Sequence, residues 1–153
     1  MDEVARLAAI EEIKQVKAKY FRGVDTGDGD LVRSILAEDC VLDYVGGCTD
    51  PVSGIDYLPW SNTVVRGREA WPAGQRPATG MVSVHQGHTA EIEVTSDTTA
   101  RATWSMTDRW FLPPGGDYST MTGYGHYHET YEKAGGAWKL KTARLTRLRV
   151  EGS

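Results

Sequence analysis

Residues 99–111 have the sequence TARATWSMTDRWF, in which apolar and polar side chains alternate along most of the segment. A period of two predicts a β-strand that buries one face and leaves the other polar. The apolar face would carry six residues: Ala100, Ala102, Trp104, Met106, Asp108 and Trp110. A strand of this kind predicts a sheet with one side turned towards a core.

Three further segments have the same period, and turn sequences separate them. They cover residues 82–94, 119–133 and 137–150. The sequences TSDTT (95–99) and AGGA (134–137) predict hairpin turns, and PPGG (113–116) predicts a wider connection. Four long strands joined in this way predict an antiparallel sheet.

The N-terminal part of the chain has a helical period instead. Apolar residues recur at three- and four-residue steps over residues 3–24, and Gly27 ends this predicted helix. Asp28 or Asp30 would cap a second helix that carries residues 31–36. Shorter elements follow: a strand over 40–45, a loop over 46–62 and a short helix over 66–75 interrupted at Pro72. Helices followed by long strands predict an α+β fold, with a strongly curved sheet packed on the helices.

Composition limits the class of protein. The chain has 153 residues, of which 40% are apolar and 25% charged, so a single globular domain over residues 1–153 is predicted. A net charge of −4 without a basic cluster argues against a nucleic-acid partner. No apolar run approaches the ~20 residues that a membrane span needs. The amphipathic start and two cysteines, Cys40 and Cys48, predict a cytoplasmic protein with free thiols.

Asp108 is the strongest local anomaly, because an acid occupies the apolar face of its strand. Burying an unpaired carboxylate is costly, so Asp108 should be paired, protonated or part of a pocket wall. The alternative is that the end of the strand frays and that Asp108 is solvated near the rim.

Two histidines near the start of one strand compete for the inward position. Strict alternation places His88 inward together with Ala90 and Ile92, and it places His85 on the outer face. A β-bulge at Gly87 would reverse this assignment, because one extra residue changes the face of every residue beyond it.

The last two strands carry further candidates. His126 and His128 share a face and could bind a metal, although no third ligand is evident and a polar or exposed face is the alternative. Arg144 falls on the apolar face of its strand together with Trp138. There it could pair with an acid such as Asp108 or hold a substrate oxygen, and a structural ion pair is the alternative.

Several segments together resemble the SnoaL-like branch of the nuclear transport factor 2-like superfamily. They are GVDTGD (23–28), LAEDCVLD (36–43), VHQGH (84–88), GHYHETY (125–131) and GAWKL (136–140). The segments around Asp25 and His85 are the most specific. They are similar to the catalytic segments of the lindane dehydrochlorinases and bile-acid 7α-dehydratases of this family.

The resemblance implies a set of catalytic residues. They are Tyr20, Asp25, His85, Asp108 and a late-strand arginine, for which Arg144 is the first candidate and Arg147 the second. His85 rather than His88 would be the base, through an irregularity of its strand. Tyr20 stands where the dehydrochlorinase has a lysine, which argues against a dehalogenase.

The resemblance also implies a cone-shaped barrel with a buried pocket, no metal and no organic cofactor, in a homo-oligomer for which a trimer is favoured and a dimer is possible. The expected function is a lyase (dehydratase) or isomerase. Through a His–Asp dyad it would remove a proton next to a carbonyl of a bulky steroid, polyketide or aromatic substrate. The candidate walls for such a small apolar or aromatic molecule are Tyr44, Trp60, Trp71, His88, Trp104 and Tyr127. The alternatives are a non-catalytic binding or assembly module, and a hydrolase or carbon–carbon lyase with the same pocket.

Overall fold

The computed structural model describes residues 1–153 and has two α-helices packed on one six-stranded sheet. The helices are α1 (Glu3–Thr26) and α2 (Gly29–Ile35). The strands are β1 (Leu36–Asp43), β2 (Val64–Arg66), β3 (Val82–Val94), β4 (Thr99–Phe111), β5 (Thr120–Ala134) and β6 (Ala137–Gly152). The predicted α+β fold with a curved sheet on N-terminal helices is confirmed, and no helix of the chain is long and apolar enough to cross a membrane.

Side-chain caps define the ends of both helices. At the start of α1, the Asp2 carboxylate accepts a hydrogen bond from the backbone N–H of Ala5. Gly27, with φ of 68°, ends this helix in the left-handed conformation that glycine adopts at little cost. The Asp28 side chain then accepts from the N–H of Leu31 at 3.0 Å and begins α2. This ending places the last turn of α1, which contains Asp25, against the first half of β3.

The strand order is β2-β1-β6-β5-β4-β3, and the sheet is open, with β2 and β3 at its edges. All neighbouring strands are antiparallel except β1 and β6, which run parallel. The sequence analysis predicted only antiparallel pairs. Periodicity shows which face of a strand is buried, but it does not show in which direction a distant strand will pair.

The main core fills the space between α1 and the concave face of the sheet. The face of α1 that contains Ile13 and Tyr20 packs on inward residues of the strands, among them Trp104 and Leu140. A smaller apolar cluster around Met121 lies at the far end of the sheet. The helix predicted over 66–75 is only a single 3-10 turn, Arg68–Ala70. Gly67 precedes this turn with a φ of 84°, which is not a helical value, and Pro72 follows it.

Three β-bulges interrupt the alternation of the long strands. In β3, the pairs Gly87↔Met106 and Ala90↔Trp104 leave two residues opposite one. In β6, Lys141 and Leu148 are each an extra residue relative to β5. Each bulge exchanges the inward and outward faces of the strand beyond it. These changes decide which polar side chains reach the interior.

Candidate active site

A cavity of about 320 Å³ opens between the end of α1, the loop after β1 and the concave face of β3–β6. Its wall combines aromatic residues with a small polar group. The aromatic residues are Tyr20, Tyr44, Trp60, Trp71, Trp110 and Tyr127. The charged or basic side chains that face them are His85, Asp108, Arg147 and the exposed Arg76. A largely apolar cavity with a few convergent polar groups is the usual form of a small-molecule site.

Asp25 and His85 meet at one side of this cavity. The Asp25 carboxylate lies 2.6 Å from His85 Nδ1, and its other oxygen accepts from the His85 backbone N–H at 2.9 Å. The hydroxyl of Ser83 donates a third hydrogen bond, at 3.0 Å. Because a carboxylate only accepts, the imidazole hydrogen lies on Nδ1 and leaves Nε2 unprotonated in the neutral ring. The structure thus brings Asp25 and His85 into contact.

The bulge in β3 turns His85 inward. Gly87 is required nearby, because a Cβ at this position would lie 2.7 Å from the Phe21 ring. Phe21 stacks on the His85 imidazole with a centroid distance of 5.9 Å, and Trp110 packs edge-on against it at 5.5 Å. His88, a candidate for the pocket wall, is instead exposed on the outer face, where Nε2 contacts the Thr107 hydroxyl at 2.7 Å. The prediction for His88 is therefore wrong, because the one extra residue of the bulge places it outside.

Asp108 is buried at the same side of the cavity and forms a two-pronged ion pair. Arg147 donates from Nη1 and Nη2 at 2.7 and 2.9 Å, and the Trp110 indole donates at 3.0 Å. The side chains of Asp108 and Arg147 are each only 2% exposed. Burial opposes the charge of Arg147, but the hydrogen bonds and charge of Asp108 raise its pKa above the usual value. Asp108 therefore accepts from both neighbours, and its Oδ2 lies 3.7 Å from His85 Nε2.

The first candidate for the late-strand arginine, Arg144, does not reach the cavity. It is exposed on the outer face and opposite His128 in the sheet register. Strict alternation from Trp138 predicted the inward face for Arg144, but the bulge at Lys141 shifts the phase by one residue. Arg147, the second candidate, is the one that pairs with Asp108.

Two tyrosine hydroxyls meet across the cavity from α1 and from the end of β1. Tyr20 and Tyr44 are hydrogen-bonded at 2.6 Å between their hydroxyl oxygens. Burial raises the pKa of both phenols above the usual value, and it does the same for Tyr127. These groups are therefore neutral hydrogen-bond donors at neutral pH.

The predicted wall residues divide into two groups. Tyr44, Trp60, Trp71 and Tyr127 line the cavity. Trp104 is buried in the core, outside the cavity lining, and its indole donates to the Tyr131 hydroxyl at 3.1 Å.

Trp110 and Ser83 were not predicted as site residues, although each has a polar contact there. Trp110 shares the apolar face of β4 with Asp108, two residues away, which is a signal that the sequence already contained. Ser83 is in phase with His85 on β3, so the inward position of His85 also implies an inward Ser83.

The histidines considered as metal ligands lie outside this cavity. His126 and His128 have ring centroids 6.3 Å apart, and His128 Nε2 contacts the Thr146 hydroxyl at 2.8 Å. No group of three or more His, Cys, Asp or Glu side chains in the chain is placed to hold a metal ion.

The sequence is similar to a known protein family and to individual known proteins. The sequence profile of the SnoaL-like domain matches residues 5–144. The "Probable cyclase FGR4" of Gibberella zeae is 28% identical over 139 residues, which cover 89% of each chain.

Two solved structures illustrate how widely the fold is shared. One is the hexachlorocyclohexane dehydrochlorinase LinA-type3 from Novosphingobium barchaimii, with a TM-score of 0.73 and 18% identity over 99% of this chain and 94% of the other. The other is a candidate scytalone dehydratase from Novosphingobium aromaticivorans, with a TM-score of 0.73 and 16% identity over 99% and 92%. At such low identity the two structures establish a common fold.

Proposed function

The chain belongs to the SnoaL-like domain family, and on this basis we propose that it is a cofactor-independent lyase or isomerase, of the dehydratase type. The reaction would begin with removal of a proton from carbon next to a carbonyl group. The observation that carries the proposal is the orientation of His85, whose Nδ1 is held by Asp25 while Nε2 lies 3.7 Å from Asp108 at the cavity.

His85 is proposed as the general base. With its hydrogen on Nδ1, the free electron pair of Nε2 is available to a substrate proton in the cavity. The imidazolium formed would lie between two carboxylates, Asp25 at 2.6 Å and Asp108 at 3.7 Å, which stabilise its positive charge. Arg147 balances the second of these charges and holds that carboxylate in place.

Tyr20 and Tyr44 are proposed to bind the substrate carbonyl. Because one hydroxyl donates to the other, one O–H of the pair remains free, and it would donate to the oxygen as this gains negative charge in the enolate. Asp108 is not the donor, because Arg147 and Trp110 already donate to its oxygens. In a dehydration, the enolate re-forms the carbonyl and expels a β-hydroxyl, which takes the proton from His85 and leaves as water. In an isomerisation, His85 would return the proton to another carbon.

The shape of the cavity favours compact ring systems. About 320 Å³ lies at the lower end of the usual range of ligand pockets, about 300–1,000 Å³. Aromatic side chains form much of its wall and suit a planar, partly polar molecule. We therefore propose an aromatic or polyketide substrate in preference to a steroid.

A ring-closing reaction is the second candidate, because the relative from Gibberella zeae is named a cyclase. The same enolate could attack a second carbonyl of the same substrate molecule and form a carbon–carbon bond. The new alkoxide would then take the proton from His85. Products distinguish the two reactions, because dehydration releases water and lowers the mass by that amount, whereas an aldol closure leaves the mass unchanged.

The test is turnover of enones, β-hydroxy carbonyls and aromatic diols by wild type, His85→Ala and His88→Ala. His85→Ala should reduce turnover by roughly 10²–10⁴-fold, the usual contribution of a positioned base. His88→Ala is the matched control, because His88 is a histidine of the same strand on the outer face, and its activity should be unchanged. Circular dichroism should show all three proteins folded, and EDTA should have no effect on turnover.

Full turnover by folded His85→Ala would contradict the proposed base. Saturable binding of such molecules without any turnover by wild type would favour the non-catalytic binding module instead.

A further inference from the structure

A second buried ionic group lies behind the cavity wall, and the proposed reaction does not use it. Lys17 of α1 and Glu129 of β5 form an ion pair in which the side chains are 1% and 0% exposed. The Tyr131 hydroxyl donates to the other Glu129 oxygen. The Trp104 indole donates in turn to that hydroxyl, at 3.1 Å. The polar side-chain groups of these four residues are therefore all partnered inside the protein.

The Lys17 ammonium lies against aromatic rings of the site. Its Nζ is 3.4 Å from the centroid of the Tyr127 ring, 4.5 Å from that of Tyr20 and 4.6 Å from that of Phe21. Tyr20 and Tyr127 line the cavity, and Phe21 stacks on His85. A cation this close to a ring face attracts its π-electrons, and the attraction is strong where water is absent.

Burying this ion pair in the core costs desolvation free energy. Burial lowers the pKa of Lys17, and the charge and hydrogen bond of Glu129 oppose that shift. Apolar residues of similar size commonly stabilise a core as well as a buried ion pair does. The contacts of Lys17 with the two cavity tyrosines therefore suggest a role beyond packing.

We propose that Lys17 is a positioning residue that, paired with Glu129, fixes the rings of Tyr20 and Tyr127 and strengthens their hydroxyls as hydrogen-bond donors to a substrate oxygen. Burial raises the pKa of both phenols, and the Glu129 charge raises it further. The Lys17 ammonium lies directly over the rings and opposes the effect of that charge, because electron density drawn towards the cation leaves less on the phenol oxygen. This inference rests on the proposed function only in that a substrate oxygen binds near the Tyr20 hydroxyl, and it adds Tyr127 as a further donor of the same cavity. It explains how neutral phenols could stabilise an enolate without an ionised donor at the oxygen.

The test uses the double variant Lys17→Met/Glu129→Gln. It removes both charges together, so no unpaired buried charge remains, and the new amide keeps an acceptor for Tyr131. Lys14→Met is the matched control, because Lys14 is an exposed lysine of the same helix, paired with Glu11. Circular dichroism should show that both variants are folded.

The first measurement needs no substrate. Carbon-13 NMR of the tyrosine Cζ atoms, assigned with Tyr20→Phe and Tyr127→Phe, reports the electron density at each phenol. The signals of Tyr20 and Tyr127 should shift in the double variant, while that of Tyr118, which packs on Tyr57 elsewhere, should not. Unchanged Tyr20 and Tyr127 signals in the folded double variant would overturn the proposal, even if activity fell.

The second measurement is steady-state kinetics. The double variant should lose about tenfold in kcat with little change in KM, as expected when a cation–π contact acts on the transition state. Lys14→Met should retain wild-type values, and an unchanged kcat in the double variant would contradict the role of Lys17. The NMR result decides on Lys17 even where His85→Ala leaves turnover intact, so failure of the proposed base and failure of this inference are distinguishable.

Discussion

Two carboxylates flank one imidazole in this site, and their different donors give them different roles. Asp25 accepts from the ring, the backbone N–H and a serine, all within β3, and so fixes the orientation of His85. Asp108 accepts from Arg147 and Trp110, and so is held in place on the side of Nε2. A proton accepted at Nε2 would thus be stabilised from both sides of the ring.

Two arginines of β6 provide a direct test at the residue scale. Arg147→Met leaves the Asp108 carboxylate buried without its partner, which should lower the free energy of unfolding by about 3–5 kcal/mol. Arg144→Met makes the same chemical change at an exposed position and should alter it by no more than about 0.5 kcal/mol. Urea denaturation of the two variants measures the difference. Equal effects would contradict the assignment of Arg147 as the buried partner.

At the scale of elements, the β-bulges determine which polar side chains face the cavity. The bulge in β3 turns His85 inward, and the bulge at Lys141 in β6 turns Arg147 towards β4. Between these strands, β5 must leave space for the ion pair, and it does so with a glycine. A Cβ at Gly123 would lie 2.3 Å from Arg147 Nη1 and 2.6 Å from Asp108 Oδ1.

Gly123→Ala tests this arrangement. The added methyl group would displace one of the two charged groups, so the variant should lose about 1–3 kcal/mol of stability, as overpacked cores do. Turnover should also fall, because Asp108 would move relative to His85. Gly116→Ala is the matched control, since a Cβ there has only open space around it apart from a carbonyl oxygen at 4.0 Å. Wild-type stability and turnover in Gly123→Ala would show that the pair tolerates the methyl group.

At the scale of the whole molecule, buried phenols link stability to high pH. Burial raises the pKa of four tyrosines above the usual 10.0: Tyr20, Tyr44, Tyr127 and Tyr131. Above pH 10 the unfolded chain releases phenolic protons that the folded chain retains. The folded state therefore binds more protons, and its stability falls as the pH rises. Their contribution is complete below pH 10 and is lost progressively above it.

Alkaline titration should show this linkage. Absorbance of tyrosinate at alkaline pH should rise in two phases, the first from the exposed phenols and the second together with loss of near-ultraviolet circular dichroism. The thermal midpoint should decrease steadily above pH 10. Ionisation of all seven tyrosines in one phase, without unfolding, would contradict the burial of the four phenols.

The sequence by itself determined the elements and most of the buried faces. The predicted bounds of β3 and β4 agree with the structure, and the α+β order follows from the change of period along the chain. Asp108 was assigned to the inward face of its strand because β4 alternates without interruption, and it is buried there. The pairing of Asp25 with His85 was predicted from resemblance, since strict alternation favoured His88.

Tertiary structure decided which polar residues of the other strands face the interior, and it made β1 parallel to β6. Alternation is a local property that holds only while each residue has one partner, and a single extra residue reverses it. Whether that residue is accommodated depends on contacts from distant segments. Phe21 of α1 packs where a side chain at position 87 would otherwise stand. The register of β5 leaves no β5 residue opposite Lys141 in the sheet. For this reason Arg147, rather than Arg144, completes the site.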